Sequence, residues 1–262
     1  MKQLKLVLLS TLVLISGYRC SKDSGISPEE NTRDPEVIRM EYLGHSSFIM
    51  TFGDTLTIVT DPFGNSIPQF YTTPDSVEAD YVTISHQHAD HISMKGMIGD
   101  PTIFQKADTT YQLGDISIRG YLSAHGDWNG SNMGTNIIFV FQTPTIKLVH
   151  MGENGPLEDE TILNAISDAD VLIVPTGETA SLSFEEIHAL VQTTRARTII
   201  PSHYSLSATK RYYGSSTVEE FVESLPEGTV VNQGDDLDIM QDMPEQVILL
   251  NPKYAKDSNV TT

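Results

Sequence analysis

The stretch VTISHQHADH, residues 82–91, places three of the chain's eight histidines and an aspartate within six consecutive positions. These polar residues directly follow an apolar, β-branched run of the kind that forms buried strands. Folding gives no reason for such a cluster, because imidazoles fill cores poorly and protonated imidazoles repel one another. Metal binding does give a reason, since neutral imidazole and carboxylate are the usual nitrogen and oxygen ligands of zinc.

Ionisable residues also end other strand-like runs that lie far apart in the sequence. Besides the cluster at 86–91 they are Asp61, His125, His150 with Glu153, and His203. Loops that leave one edge of a layered α/β fold converge, so we expect these side chains to meet in one site.

Length and charge limit the class of protein. With 262 residues, 39% of them hydrophobic, the chain can build a substantial core. Its formal net charge is −19, from 35 acidic and 16 basic residues. Such a surface repels phosphate backbones, so we expect a small-molecule substrate and no nucleic acid partner. Composition is even from Val37 onward, which predicts one domain over residues 37–262.

The first 19 residues have the pattern of a secretory signal peptide. Lys2 and Lys5 precede an apolar run from Leu6 to Ile15, which is followed by small residues. A run of about ten residues is too short to span a hydrocarbon core of roughly 30 Å as a helix. We therefore expect residues 1–19 to be removed during export.

Cys20, the chain's single cysteine, lies where a bacterial lipobox places the lipidated residue. Tyr18 and Arg19 replace the small residues usual before it, so an ordinary cleaved signal is the alternative. Residues 20–36 are polar and contain Pro, Gly and Ser, which predicts a tether. The expected location is the periplasm or outer membrane of a diderm bacterium, with a lipid on Cys20 as the sole membrane contact. Oligomeric state is left open.

Strand patterns dominate the first half of the domain, and helical patterns follow. The helical segments are 157–169, 183–194 and 216–225. Ser183 and Glu186 have the spacing of a capping box. Strand patterns alternate with these helical segments from about residue 157 to residue 230. This alternation predicts an α/β protein with at least two sheet layers and outer helices.

The segment HQHADH matches the H-x-H-x-D-H signature of the metallo-β-lactamase superfamily. YLGHSSFIMTFGDTLTIVTDPFG at 42–64, LVHMGE at 148–153 and TIIPSHYS at 198–205 resemble further blocks of its ascorbate-6-phosphate-lactonase-like branch. The resemblance covers nearly the whole mature chain. It implies a four-layer αββα sandwich with the metals at one edge.

The resemblance also implies a binuclear site, with two zinc ions and with manganese or iron as other possibilities. Its first metal would be held by His86, His88 and His125, and its second by Asp90, His91 and His203. Asp90 would also orient a metal-bound hydroxide, and is the implied catalytic residue. Asp61 and His45 would support the ligands through hydrogen bonds, although His45 can equally be a turn histidine.

Glu153 departs from the family pattern, because relatives usually have an aspartate there that bridges both metals. A glutamate carries the same carboxylate on a longer stem. It can bridge the ions, bind one of them, or turn away, and we favour ligation. Tyr204 and Trp128 are aromatic candidates for the pocket, although tyrosine near a strand end usually serves packing.

Three functions are compatible with this pattern. The first is an exported metal-dependent hydrolase that uses a metal-bound hydroxide on an ester, a lactone or a phosphodiester. The second is a periplasmic β-lactamase, which export would suit. The third is a binding lipoprotein on a hydrolase scaffold with weakened catalysis, for which the change at Glu153 is the only support.

Overall fold

The computed structural model describes residues 36–53, 55–127, 131–226 and 228–256. The predicted signal peptide, Cys20, nearly all of the tether and Trp128 lie outside these residues, so the export and domain boundaries stay predictions. In the described part of the chain, no helix is long and apolar enough to cross a membrane.

Two large β-sheets and one two-stranded sheet contain the described strands. The orders are β15-β1-β2-β3-β5-β7, β14-β16-β13-β12-β11-β10-β9-β8 and β4-β6. The strands are β1 (Ile38–Gly44), β2 (Ser47–Phe52), β3 (Leu56–Thr60), β4 (Val77–Glu78), β5 (Tyr81–Thr83), β6 (Met97–Ile98), β7 (Thr102–Phe104), β8 (Thr110–Leu113), β9 (Ile116–Ala124), β10 (Thr135–Gln142), β11 (Lys147–His150), β12 (Val171–Pro175), β13 (Thr198–Ser202), β14 (Val230–Asn232), β15 (Asp236–Ile239) and β16 (Gln246–Leu249).

The main core lies between the two large sheets. Met40 and Phe48 of the six-stranded sheet are fully buried, as are Phe139, Phe141 and Ile173 of the eight-stranded sheet, and all five belong to one hydrophobic cluster. Burying a side chain of this size stabilises the fold by about 1.5–3 kcal/mol. This core holds the two sheets face to face and fixes the edge at which their loops meet.

Helices cover the outer face of the eight-stranded sheet. They are α1 (Glu160–Ile166), α2 (Phe184–Thr194) and α3 (Val218–Glu223). Ile166, Ile187 and Phe221 are buried in a second hydrophobic cluster that includes Leu172 and Val174 of β12. The predicted capping box of α2 is confirmed, because the Ser183 hydroxyl accepts from Glu186 N and the Glu186 carboxylate accepts from Ser183 N.

Irregular segments cover the outer face of the six-stranded sheet. Phe63, Ile67 and Phe70 belong to a third cluster with Val59 of β3 and Val82 of β5. The predicted α/β class with two central sheets is confirmed. In the described residues the helical outer layer lies on one side, and loops between β3 and β7 cover the other side.

Candidate metal centre

The predicted ligands leave the carboxyl ends of strands from both sheets. The histidine cluster follows β5, His125 follows β9, Glu153 follows β11 and His203 follows β13. Parallel pairing of β11, β12 and β13 puts their carboxyl ends at one edge. His125 pairs with Asn154 in an isolated bridge, which joins the loops after β9 and β11.

The first group of potential ligands contains His86, His88, His125 and Glu153, whose ligating atoms all lie within 4.8 Å of one another. His125 Nε2 is 2.9 Å from Glu153 Oε2, and His86 Nε2 is 2.9 Å from His88 Nδ1. Three of the four residues are buried, and His88 is partly exposed at the cleft.

The second group contains Asp90, His91 and His203, as the resemblance implied, together with His45. His45 Nε2 donates to Asp90 Oδ2 at 2.9 Å, and its ring lies 4.0 Å from that of His203. The main-chain carbonyl of His45 also accepts from His203 N at 2.8 Å. His45, in the turn between β1 and β2, therefore contacts two of the predicted ligands.

Glu153 lies between the two groups. Its Oε2 is 3.4 Å from Nε2 of His86, 3.5 Å from Nε2 of His203 and 3.7 Å from Nε2 of His91. For bonds of about 2.1 Å in a tetrahedral shell, two ligand atoms of one ion lie about 3.4 Å apart. The distances to histidines of both groups therefore fit a carboxylate that faces two ions.

Unpartnered ring nitrogens also fit metal binding. His91 donates from Nδ1 to Asp61 Oδ2 at 2.9 Å, so its Nε2 carries a lone pair. Nε2 of His91 and Nε2 of His203 are buried and have no hydrogen-bond partner. Buried polar atoms are normally satisfied, and a cation in the second group would use these lone pairs.

Electrostatics keep His86, His91 and His203 in the neutral form that binds a metal. Burial lowers the pKa of His86 and of His91 to about 4, and that of His203 to about 3. Burial would raise the pKa of Glu153, but the surrounding histidines, led by His203, hold it well below its usual range. At neutral pH these three imidazoles are therefore neutral and the Glu153 carboxylate is ionised.

Asp61 supports the loop of residues 85–91 through hydrogen bonds. It is fully buried, and its carboxylate accepts from Ser85 N at 2.7 Å, from Ser85 Oγ at 2.6 Å and from His91 Nδ1 at 2.9 Å. These contacts fix the tautomer and orientation of His91, the role that outer partners usually have around a metal.

Asn136, a residue that sequence reasoning did not single out, supports the Glu153 loop. This buried side chain on β10 accepts from Glu153 N at 3.1 Å and donates to Met151 O at 2.8 Å. Gly152 between them has φ +63°, and a Cβ there would lie 2.4 Å from Asn136 Oδ1. A glycine is therefore required where the loop passes over Asn136.

A cleft of about 340 Å³ opens over the two groups. Its wall includes Ile67, Met133, Thr179, Tyr212 and Tyr213.

Tyr204, His150 and His188 lie outside the two groups of potential ligands. Tyr204 is buried against Tyr42, His150 is buried with Nε2 3.0 Å from Ser46 O, and His188 on α2 lies 3.3 Å from Ser224 Oγ. Tyr204 is not among the residues that line the cleft.

Known proteins of one superfamily are similar to this chain. Residues 39–203 match the family model of the β-lactamase superfamily domain. A UPF0173 metal-dependent hydrolase from Carboxydothermus hydrogenoformans is 23% identical over 199 residues, which cover 64% of this chain and 85% of the relative. Another from Thermus thermophilus is 23% identical over 222 residues, 76% of this chain and 98% of the relative.

Solved structures share the fold. A protein of the metallo-β-lactamase superfamily from Thermotoga maritima superposes with a TM-score of 0.65 and 26% identity, over 81% of this chain and 98% of that one. The isothiocyanate hydrolase from Delia radicum gut bacteria gives a TM-score of 0.59 at 12% identity, over 84% and 98%. With a family model that matches well over half of its length, the chain belongs to the metallo-β-lactamase superfamily.

Proposed function

We propose that this protein is a metal-dependent hydrolase that cleaves an ester, a lactone or a phosphodiester. It would bind two divalent cations, and we expect these to be zinc. The observation that carries the proposal is the position of Glu153 Oε2, within 3.4–3.7 Å of His86, His203 and His91. The name of the UPF0173 relatives, metal-dependent hydrolase, supports the reaction class.

Each group of ligands would hold one ion, the first with His86, His88 and His125 and the second with Asp90, His91 and His203. Bound there, two cations would lower the pKa of a water molecule towards neutrality and polarise the carbonyl or phosphoryl oxygen of the substrate.

The protein's own residues would prepare the site for this chemistry. Asp90 would orient the attacking water, and His45, which donates to Asp90 Oδ2, would hold that carboxylate in place. Asp61 would keep His91 in the tautomer whose lone pair faces the cleft. Because these side chains are buried and hydrogen-bonded before any substrate binds, little reorganisation would be needed during the reaction.

Glu153 bears on the alternative of a binding lipoprotein with weakened catalysis. The change at Glu153 is the only support for that alternative, which a glutamate turned away from the site would favour. The Glu153 side chain instead lies among the predicted ligands, 2.9 Å from His125 Nε2. This contact removes that support, and the complete set of potential ligands favours hydrolysis. We also propose that the enzyme is exported and anchored by a lipid on Cys20, as the first 20 residues predict.

The test is a screen of the full-length protein loaded with zinc or with manganese. The reporters are 4-nitrophenyl acetate, a chromogenic lactone, bis(4-nitrophenyl) phosphate and nitrocefin. We expect turnover of at least one of the first three that is lost with a chelator and restored by metal. Turnover of nitrocefin alone would identify a β-lactamase. No turnover of any reporter, in protein shown to hold two metal equivalents, would overturn the proposal.

A further inference from the structure

Tyr212 projects a phenol over the metal centre. Its hydroxyl donates to Asp90 Oδ2 at 2.6 Å, and the residue lines the cleft with Glu153 and His203. The sequence places it nine residues after His203, in a loop with no recognisable pattern. Tyr212 therefore lies outside the sequence blocks that resemble the family, and the fold brings it to the site.

The ring of Tyr212 is held from several sides. It makes edge-on contacts with Phe70 at 5.4 Å, with His45 at 5.1 Å and with Tyr213 at 4.7 Å between ring centroids. Aromatic pairs prefer this geometry. The phenolic oxygen is therefore fixed relative to Asp90, while the O–H bond stays free to rotate.

The main chain of the same residue is anchored as well. Tyr212 N donates to Ser205 Oγ at 2.8 Å, which ties the loop to the segment that carries His203. The preceding Arg211 forms a two-pronged ion pair with Glu220, at 2.8 and 2.6 Å. Paired contacts of this kind between arginine and a carboxylate fix geometry. The loop therefore holds Tyr212 in a fixed position beside the predicted ligands.

Tyr213, the next residue of the loop, has a strained backbone conformation. Its φ is +46°, a left-handed conformation that a tyrosine adopts only at a cost, and its ring is largely exposed at the wall of the cleft. Two adjacent tyrosines thus both line the cleft, one near Asp90 and the other further out.

Asp90 does not depend on Tyr212 as its only donor. His45 Nε2 donates to the same carboxylate oxygen at 2.9 Å. The phenolic hydrogen can therefore rotate from Asp90 to a substrate oxygen while Asp90 keeps a hydrogen bond. An unperturbed tyrosine has a pKa of about 10, so the phenol is a neutral donor at neutral pH.

We propose that Tyr212 is a catalytic residue that donates a hydrogen bond to the carbonyl or phosphoryl oxygen of the substrate as negative charge develops on it. This role rests on the proposed hydrolase function. In ester cleavage the water oxygen forms a bond to the carbonyl carbon, the bond from that carbon to the alcohol oxygen breaks, and one proton of the water ends on the alcohol oxygen. The phenolic proton stays on Tyr212 throughout, and its hydrogen bond shortens as charge accumulates.

The test compares full-length wild type with Tyr212→Phe, both loaded with zinc. On 4-nitrophenyl acetate we expect kcat to fall by roughly 10–100-fold while KM changes little, as for loss of one donor to a developing oxyanion. Zinc affinities, measured by calorimetry, should stay the same. Tyr111→Phe on β8, where the ring stacks on Phe104, removes the same oxygen outside the cleft and should leave both measurements unchanged.

A second measurement does not depend on turnover. Phenylphosphonate, which has no ester bond to cleave and whose charged oxygens on a tetrahedral phosphorus mimic the developing oxyanion, is titrated into zinc-loaded wild type and Tyr212→Phe. We expect the variant to bind it roughly tenfold more weakly, because a hydrogen bond to a charged oxygen is lost.

The outcomes separate the two proposals. Weaker zinc binding by Tyr212→Phe, with full kcat restored at saturating zinc, would show that Tyr212 only holds Asp90 and would overturn the catalytic role. Equal phosphonate affinity in the two proteins, or a wild type that does not bind it, would also overturn that role. A wild type that binds the phosphonate but cleaves no reporter would contradict the proposed function alone.

Discussion

Oε2 of Glu153 lies 3.5 Å from Nε2 of His203, although the two residues belong to different groups of predicted ligands. The same oxygen lies 2.9 Å from Nε2 of His125 in the first group. One carboxylate therefore faces both groups. The longer stem of glutamate, compared with aspartate, does not turn the carboxylate away from the site.

This position predicts what substitution of Glu153 does to metal binding. Glu153→Gln keeps the size of the side chain but removes a charge that would reduce repulsion between two cations. We expect one of the two ions to bind more weakly, by roughly 10–100-fold. Glu153→Asp should keep both ions. Calorimetric zinc titration of the three proteins is the measurement, and equally tight binding of both ions by Glu153→Gln would show that this carboxylate does not bridge.

Substitution of Asp90 is expected to abolish hydrolysis. Asp90→Asn removes a charged ligand and the group that orients the attacking water, while the amide can still accept from His45 and Tyr212. We expect no measurable turnover and a melting temperature near that of the wild type. His188→Ala on α2, outside the cleft, is the control. Similar losses of activity in both variants would contradict the assignment of the site.

Strand patterns predict the buried strands of the two large sheets better than the short, exposed ones. Apolar, β-branched runs coincide with β1 to β3, β5 and β9 to β13, and in all of these except β9 more than half of the side chains are buried. β4 and β6 have two residues each, and β14 has three with two exposed. Such segments carry no periodic signal, because their pairing is decided by the strands beside them.

The predicted ligands could be identified from the sequence because histidine and carboxylate side chains are typical metal ligands. The roles of Asn136 and Tyr212 could not be predicted in this way. Asn136 stands at the start of an apolar strand, and Tyr212 lies in a polar loop. Their roles depend on tertiary contacts. Asn136 contacts the loop that carries Glu153, and Tyr212 contacts Asp90. A polar residue in an otherwise apolar strand was the one available signal, at Asn136.

The metal-free protein should lose stability in mild acid. Burial lowers the pKa of His86 and His91 to about 4 and that of His203 to about 3, from an ordinary 6.5. Below pH 6.5 the unfolded chain therefore binds protons that the folded chain does not, so the free energy of unfolding falls until the folded pKa values are reached. Burial alone would lower the pKa of His125 too, but Glu153 raises it, which offsets part of the loss.

Urea unfolding in the presence of a chelator, at pH 7.5 and at pH 5, measures this effect. We expect a lower unfolding free energy at pH 5, by several kcal/mol in total. Protein loaded with zinc should be more stable than metal-free protein at pH 7.5, because the ligands bind the metal only when folded. Equal unfolding free energies of the metal-free protein at the two pH values would contradict the prediction that these buried histidines are neutral.

Membrane attachment is predicted to depend on Cys20. A diacylglyceryl group on this residue would place the chain in the detergent phase of a Triton X-114 partition. Cys20→Ser should move it to the aqueous phase without changing the melting temperature. If processed wild type is already in the aqueous phase, Cys20 is not lipidated and the alternative of a simply cleaved signal holds.

Asn136 is predicted to stabilise both the fold and the metal site. Asn136→Ala removes the donor to Met151 O and the acceptor of Glu153 N, and it leaves both main-chain groups without this partner. We expect the free energy of unfolding to fall by about 1–3 kcal/mol and zinc to bind more weakly, by roughly tenfold.

Ser183→Ala provides the matched control for Asn136. It removes the capping hydroxyl of α2 and should cost about 1 kcal/mol of stability. Because Ser183 is not a predicted ligand and holds the start of a helix, zinc affinity should be unchanged. Chemical unfolding and zinc titration of both variants separate general destabilisation from an effect on the site. If the two variants lower zinc affinity equally, Asn136 acts only through overall stability, and the Glu153 loop keeps its position without it.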